Sequence, residues 1–482
     1  MDRRNLLKAG ATAIGATLAM RDISFAQTPE AASGQEVGMV TGSDLMAGVA
    51  KADITPSVGL LLWGYPDTLR PGPAQGTRDP LCARVLALEN GTTRIAIVTV
   101  DLGRCFLPHS VERLREAARR SDNVAYVMVA ATHTHSAPDV APLNPSPQQQ
   151  AWVESAIEKI GKAIHQAFQS STKAQMGTGY GTAYIGHNRL RHNPDGTTTW
   201  FMRNQTQIPT APIDPTVLVL RIDNAQGSPI AILVNYACHA VVFGPDNMKY
   251  STDYPGVMEK FVEDEFDGKP LCFFLQGAAG DINPFYAVTP LKGDAVHYVD
   301  WTGRRLGEEA SRVAKAIRTK AETPSSIDYA EDALIFHPRW NVAKYLEATT
   351  NPQAQREIRM SIQQNMPLPV ASILINKRIA MLGLPGEPFV NFQVNWRDRC
   401  PTPDAFFLGY SNGYYGYFPT IRAASEGGYG AGSDSTWVEV GAGERMVNHG
   451  LVQVYDKLGR LYDLPRGPVA QNDLFPHQDQ FS

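Results

Sequence analysis

The chain predicts an α/β fold: a mixed β-sheet core flanked by helices. Three observations point to it. Short apolar, β-branched runs alternate with amphipathic helical segments from Ala47 onward, as they do in α/β domains. Several runs, 124–131 and 230–237 among them, are apolar at nearly every position, which suits strands covered on both faces. Finally, 43% hydrophobic residues in a chain of 482 are enough for one large core or two modest ones.

Arg3-Arg4, a mild Ala/Gly-rich stretch to Met20 and the small-x-small site Ser24-Phe25-Ala26 read as a twin-arginine export signal over residues 1–26. Its apolar part is about a dozen residues long, short of the ~20 a membrane span needs. The mature protein is therefore expected to be periplasmic or secreted. Residues 27–44 form a polar, flexible lead-in. Strands follow at 84–88 and 94–100, a helix at 110–121 and a strand at 124–131. A long helix at 149–169 places Val153, Ala156, Ile157, Ile160, Ile164 and Phe168 at helical spacing. Strands at 216–222, 230–237 and 271–275 come with helices at 254–266 and 300–319. Strands at 372–382 and 405–409 complete the set. Residues 336–366 read as a more helical stretch placed to cap a site, and 466–482 as an irregular tail. A single domain is thus expected over 45–465.

The formal charge is −4. Removing the leader, with Arg3, Arg4, Lys8 and Arg21 against Asp2 and Asp22, leaves −6. A mildly acidic chain without a basic cluster argues against a nucleic-acid partner, and no segment is apolar enough to be transmembrane. Cys82, Cys105, Cys238, Cys272 and Cys400 are scattered, odd in number and without a CxxC pair, which excludes a zinc ribbon or a disulfide framework. Cys238 ends an apolar strand and reads as a buried thiol rather than a nucleophile.

Polar residues collect at the carboxyl ends of six predicted strands. Asp101 follows 94–100; His133 and His135 follow 124–131; His239 follows 230–237. Asp281 follows 271–275, Glu387 follows 372–382, and Tyr414 and Tyr417 follow 405–409. Sheets with parallel content bind ligands at that end, so one metal-centred cleft is expected. His133 and His135 are spaced i, i+2, which in extended backbone points both to one side. Two imidazoles and a carboxylate with an open position form the usual catalytic zinc set, and His133, His239 and Glu387 are the best such ligands. His135 then acts as a neighbouring donor, an oxyanion stabiliser or a further ligand. Asp101 and Asp281 are placed to orient imidazoles.

Ala47-Gly-Val-Ala-Lys-Ala-Asp-Ile-Thr-Pro56, Trp63-Gly-Tyr65, Asp79-Pro-Leu-Cys-Ala-Arg84, Thr132-His133-Thr134-His135-Ser136, His187-Asn188-Arg189, Gly280-Asp281, Pro385-Gly-Glu387 and Ser411-Asn412-Gly-Tyr414-Tyr-Gly-Tyr417 resemble, in this order, the neutral/alkaline (non-lysosomal) ceramidases. The similarity runs from about Ala47 to Leu461. It implies a ceramidase-like catalytic domain with one Zn²⁺ per chain held by His133, His239, Glu387 and Tyr417, Tyr414 being the competing tyrosine. It also implies Arg189 and His135, with Tyr417, beside the scissile carbonyl, where a cationic donor stabilises an oxyanion. Two departures stand out. Where the family carries Ser in Gly-Asp-x-Ser-Pro, this chain has Asn283, which cannot form an acyl-enzyme; a route through metal-activated water needs no serine. The chain also stops soon after Leu461, where ceramidases continue into a β-sandwich domain.

The resulting expectation is a zinc-dependent hydrolase that cleaves a linear amide, small or lipid-like. An ester, lactone or peptide hydrolase using the same site is the nearest rival. A catalytically silent metal- or ligand-binding homologue and a dinuclear phosphoesterase are the readings from other classes.

Overall fold

The computed structural model describes residues 44–339 and 365–461, apart from Thr92, 143–144 and 433–434. The expected leader, nearly all of the lead-in, the tail and residues 340–364 of the predicted helical stretch lie outside the described residues. Phe336 and Met366 themselves end one strand and begin the next.

Eight strands form the first sheet: β1 (Leu45–Asp53), β2 (Cys82–Asn90), β3 (Thr93–Val100), β4 (Tyr126–Ala131), β5 (Thr172–Thr182), β6 (Thr216–Asn224), β7 (Pro229–Tyr236) and β8 (Leu271–Gln276). Their order is β8-β7-β6-β5-β1-β2-β3-β4. Neighbours are antiparallel except at the two edges, where β3–β4 and β7–β8 are parallel. A second sheet holds β9 (Ile327–Phe336), β10 (Met366–Ile375), β11 (Ile379–Gly383) and β12 (Asp404–Leu408), with β11–β12 its parallel pair.

Strand alternation sorts the core into layers. Leu86, Ile97, Met128, Leu220, Leu233 and Phe273 face the second sheet and meet Ile373, Met381 and Phe406. The intervening residues of β2–β4 pack under helices α1 (Pro108–Asp122) and α2 (Pro147–Gln169). Those of β6–β8 pack under α3 (Asp253–Asp264) and α4 (Ala295–Ala316). The outer face of the second sheet is covered by α5 (Val390–Arg399) and α6 (Ala442–Lys457). The mixed sheet with flanking helices is as expected, but it is two sheets packed face to face.

β1, β5, β9, α5 and α6 are absent from the sequence reading, and two of the differences have local reasons. The expected strand 372–382 is the hairpin β10–β11, turned at Asn376 and Lys377, both at positive φ, as tight hairpin turns require. β5 went unread because it is rich in glycine, which weakens strand propensity. A Cβ at Gly179 would lie 2.9 Å from both Ile317 and Val313, and one at Gly177 2.7 Å from Ile317. The glycines are the bed on which the end of α4 lies.

The first sheet curls until its edges nearly meet, and the chain after β12 joins them. Gly409 N–H donates to the Gln276 carbonyl of β8, while Ala131 N–H donates to Tyr410 and Asn412 N–H to Val129 of β4. The buried Asn235 side chain clasps the Phe407 backbone at both its N–H and its carbonyl. This closure brings the carboxyl ends of all three parallel pairs to one place.

Candidate metal centre

His133 follows β4, His239 follows β7 and Glu387 follows β11, and their side chains are all buried. His133 Nε2 lies 3.5 Å and His239 Nε2 3.1 Å from Glu387 Oε2. His135 Nε2 lies 3.3 Å from His133 Nε2, and the three imidazoles have ligand atoms within 4.8 Å of one another. The two threonine-spaced histidines converge, with ring centroids 4.8 Å apart, although the backbone there is not extended. His133 sits at φ 68°, a left-handed conformation uncommon for non-glycine residues.

Backbone carbonyls set the tautomers. His133 Nδ1–H donates to Gly103, and His239 Nδ1–H to Ala279 at 2.6 Å, which leaves both Nε2 lone pairs turned to the shared centre. Burial, then the Arg189 charge, holds His239 down to about 3. Burial, then His133, holds His135 well below the usual histidine range. Both are neutral at pH 7, as ligation requires. Tyr414 Oη donates to Glu387 Oε1 at 2.5 Å, and Tyr410 reaches Oε2 at 3.5 Å.

This donor set fits a divalent cation. Ligands bonded at 2.0–2.1 Å on tetrahedral vertices lie about 3.3 Å apart, close to the three spacings above. His135 Nδ1 is moreover buried without a hydrogen-bond partner.

Arg189 faces the same centre. Its Nη1 lies 3.4 Å from His239 Nε2, and Nη2 donates to the Gly280 carbonyl at 2.6 Å. The rings of Tyr417 and Tyr429 flank the guanidinium, with centroids 5.4 and 4.7 Å from Cζ.

The family model described as neutral/alkaline non-lysosomal ceramidase, N-terminal, matches residues 45–335. The chain belongs to this family. Among solved structures, the neutral ceramidase from Pseudomonas aeruginosa superposes with a TM-score of 0.68 at 18% identity, covering 90% of this chain and 77% of that one. A ceramidase complexed with C2 gives 0.67 at 17%, covering 89% and 77%. At these identities the likeness is one of fold. No curated protein matches in sequence.

The remaining sequence-derived candidates take specific places in this ceramidase-family domain. Asp101 and Asp281 do not touch the imidazoles; the carbonyls of Gly103, Ala279 and Ile282 take that role. The reason is that both aspartates are engaged elsewhere. Asp101 accepts from Cys82 N–H and pairs with Arg84 at 3.2 Å, and Arg84 also pairs with Glu259 at 2.7 Å. Asp281 accepts from Val390 N–H and Asn188 Nδ2, each at 2.7 Å, and burial, offset by these bonds, raises its carboxyl to about 6. Tyr414 holds Glu387, whereas Tyr417 lies beside Arg189 and pairs its backbone with Glu387 in a short parallel ladder.

Four residues were not read as part of the site. Trp63 packs edge-on against His133, His135 and Tyr414; it lies in one of the quoted motifs but carries no ionisable group. Tyr410 stacks on His133 with centroids 4.0 Å apart. Tyr429 arrives from a glycine-rich loop. Arg70 is buried, donates to the carbonyls of Trp63, His135, Gly244 and Pro245, and so ties three loops together.

Proposed function

We propose that the protein is a zinc-dependent amidase that hydrolyses a linear N-acyl amide, small or lipid-like. The observation that carries this reading is the buried His133, His239 and Glu387 set, with its donors oriented on one point and Arg189 alongside. Family membership supports a hydrolase acting on a non-peptide C–N bond, and one fold neighbour is a ceramidase complexed with C2. A zinc ion there, with Tyr417 or His135 completing its shell, would act as a Lewis acid and lower the pKa of a coordinated water.

The chain's own residues do the rest. Arg189, buried and without a carboxylate partner among the described residues, presents N–H donors to the oxygen on which charge develops. Such donors act most strongly in a water-excluded site. His135, neutral through burial, adds a further donor. Tyr414 fixes Glu387, and the Gly103 and Ala279 carbonyls fix the imidazoles. Asn283 offers no nucleophile, which supports water as the attacking group.

A panel of N-acyl amides, esters and phosphomonoesters, run with and without a chelator, tests the proposal. Chelator-sensitive amide turnover, about one zinc per chain and loss of both in His133→Ala are expected. Turnover of phosphomonoesters alone, or full activity in His133→Ala, would overturn it. The Arg3-Arg4 leader supports export to the periplasm or beyond, which the N-terminal mass of protein from the periplasmic fraction checks; an intact Met1 there would refute processing. No described helix is long and apolar enough to cross a membrane.

A further inference from the structure

Asn283 is buried and bonded at both ends of its amide. Oδ1 accepts from Arg189 Nη1 at 3.1 Å, and Nδ2 donates to the Met202 carbonyl at 2.8 Å. Its backbone lies opposite His187 in the short antiparallel pair of Ile282–Pro284 with Gly186–Asn188. Arg189 leaves that ladder with its own N–H donating to Asp281 and its Nη2 to Gly280. The guanidinium is therefore gripped by one turn, 280–283, with Asn283 setting the direction of Nη1 toward His239 Nε2. Every acceptor among these partners is neutral. An amide at 283 aims the cation without cancelling its charge, whereas a carboxylate there would pair with it. Arg189 Nε stays buried without a hydrogen-bond partner.

The geometry points to Asn283 as the positioning residue that aims Arg189 at the scissile carbonyl and braces it against the segment at Met202. The inference rests on the amidase reading, which places that carbonyl beside Arg189. Position 283 supplies direction and charge preservation; it forms no bond to substrate.

A double-mutant cycle tests this. Asn283→Ala should lower kcat about 10- to 100-fold, the scale of a misplaced catalytic group, with KM and metal content little changed. Arg189→Met should cost about 100- to 1000-fold, as loss of an oxyanion donor does. The double variant should be no slower than Arg189→Met alone, since residues acting as a unit are not additive. Asn283→Asp keeps the acceptor toward Arg189 but adds a charge and loses the donor to Met202, so it should lower kcat. Multiplying effects in the cycle, or full kcat in Asn283→Asp, would overturn the assignment. A crystal structure of Asn283→Ala decides independently of activity: the guanidinium should leave its place beside Gly280 and His239, and an unmoved guanidinium counts against the inference. Failure of the amidase reading looks different, namely a metal-loaded wild type that cleaves no N-acyl amide.

Discussion

Gly103→Ala should damage the metal centre without touching a metal-binding side chain. A Cβ at Gly103 would meet Trp63 Cε3 directly and lie 2.7 and 2.9 Å from Cδ2 and Cζ3. Carbon contacts settle at 3.5–4.0 Å, so the indole must retreat by about 1.5 Å. That indole packs on His133 and His135 with centroids 5.2 and 4.9 Å away, and the Gly103 carbonyl itself accepts from His133 Nδ1. Overpacking of this kind costs about 1–3 kcal/mol. Disturbing a residue that orients a metal-bound histidine weakens metal binding about 10- to 100-fold, or about 1.4–2.8 kcal/mol. Zinc titration of the metal-free protein, followed by competition with a chromogenic chelator, reads the second figure, and urea unfolding of the metal-free protein reads the first. Trp63→Phe in the Gly103→Ala background removes the struck Cε3 and Cζ3 and should restore much of the lost affinity. Wild-type zinc affinity in Gly103→Ala, or a loss that Trp63→Phe leaves unchanged, would refute the claim that Trp63 and Gly103 hold the imidazoles in place.

Tyr414→Phe deletes the hydroxyl that donates to Glu387 Oε1 and should weaken zinc binding about 10-fold; unchanged affinity in the same titration would remove Tyr414 from the support of Glu387. Arg84→Met leaves Asp101 and Glu259 buried without their cation and should cost about 3–5 kcal/mol in urea unfolding, a loss under about 1 kcal/mol being incompatible with a buried ionic triad. Asp281 carries a pH signature. Its carboxyl is raised from 3.8 to about 6 in the folded protein, so the native state keeps a proton that the unfolded chain has released. Its stabilising contribution is complete below about pH 4 and is lost as pH rises through about 6, a change of about 3 kcal/mol at 1.36 kcal/mol per unit. The stability difference between Asp281→Asn and wild type should therefore move by about 2–2.5 kcal/mol in the variant's favour from pH 4 to pH 7, and a difference flat across the window would exclude the shift.

What could be read from the sequence was the set of strand ends. Runs such as 124–131 and 230–237 are apolar on both faces and each is followed within two residues by a histidine, as 372–382 is followed by Glu387, so His133, His239 and Glu387 stand out as candidates from the sequence. Their mutual arrangement was not readable, because periodicity says that a face is covered but not by what. Hence the second sheet and the segment 409–412 that joins the edges of the first emerged only from the fold. Gly177 and Gly179 hid β5, since their smallness serves α4 and not the strand. Asp101 was over-read: a carboxylate beside a histidine motif looks like its orienter, yet Arg84 had already claimed it. Trp63, Tyr410 and Tyr429 act through ring packing, which has no spacing rule to betray it.

The closure at residues 409–412 gives the protein a seam, and the metal centre lies directly over it. His133 and Glu387 are about 250 residues apart in the chain, so the unfolded polypeptide holds no comparable site, and an ion bound there favours the folded state by mass action. At a thousandfold excess over Kd that amounts to about 4 kcal/mol. The ion is then a fastening that a chelator can undo. With it withdrawn, the amides of Ala131 and Asn412, which pair across the seam, should exchange with deuterium before those of β2 and β6, which lie in the middle of the same sheet.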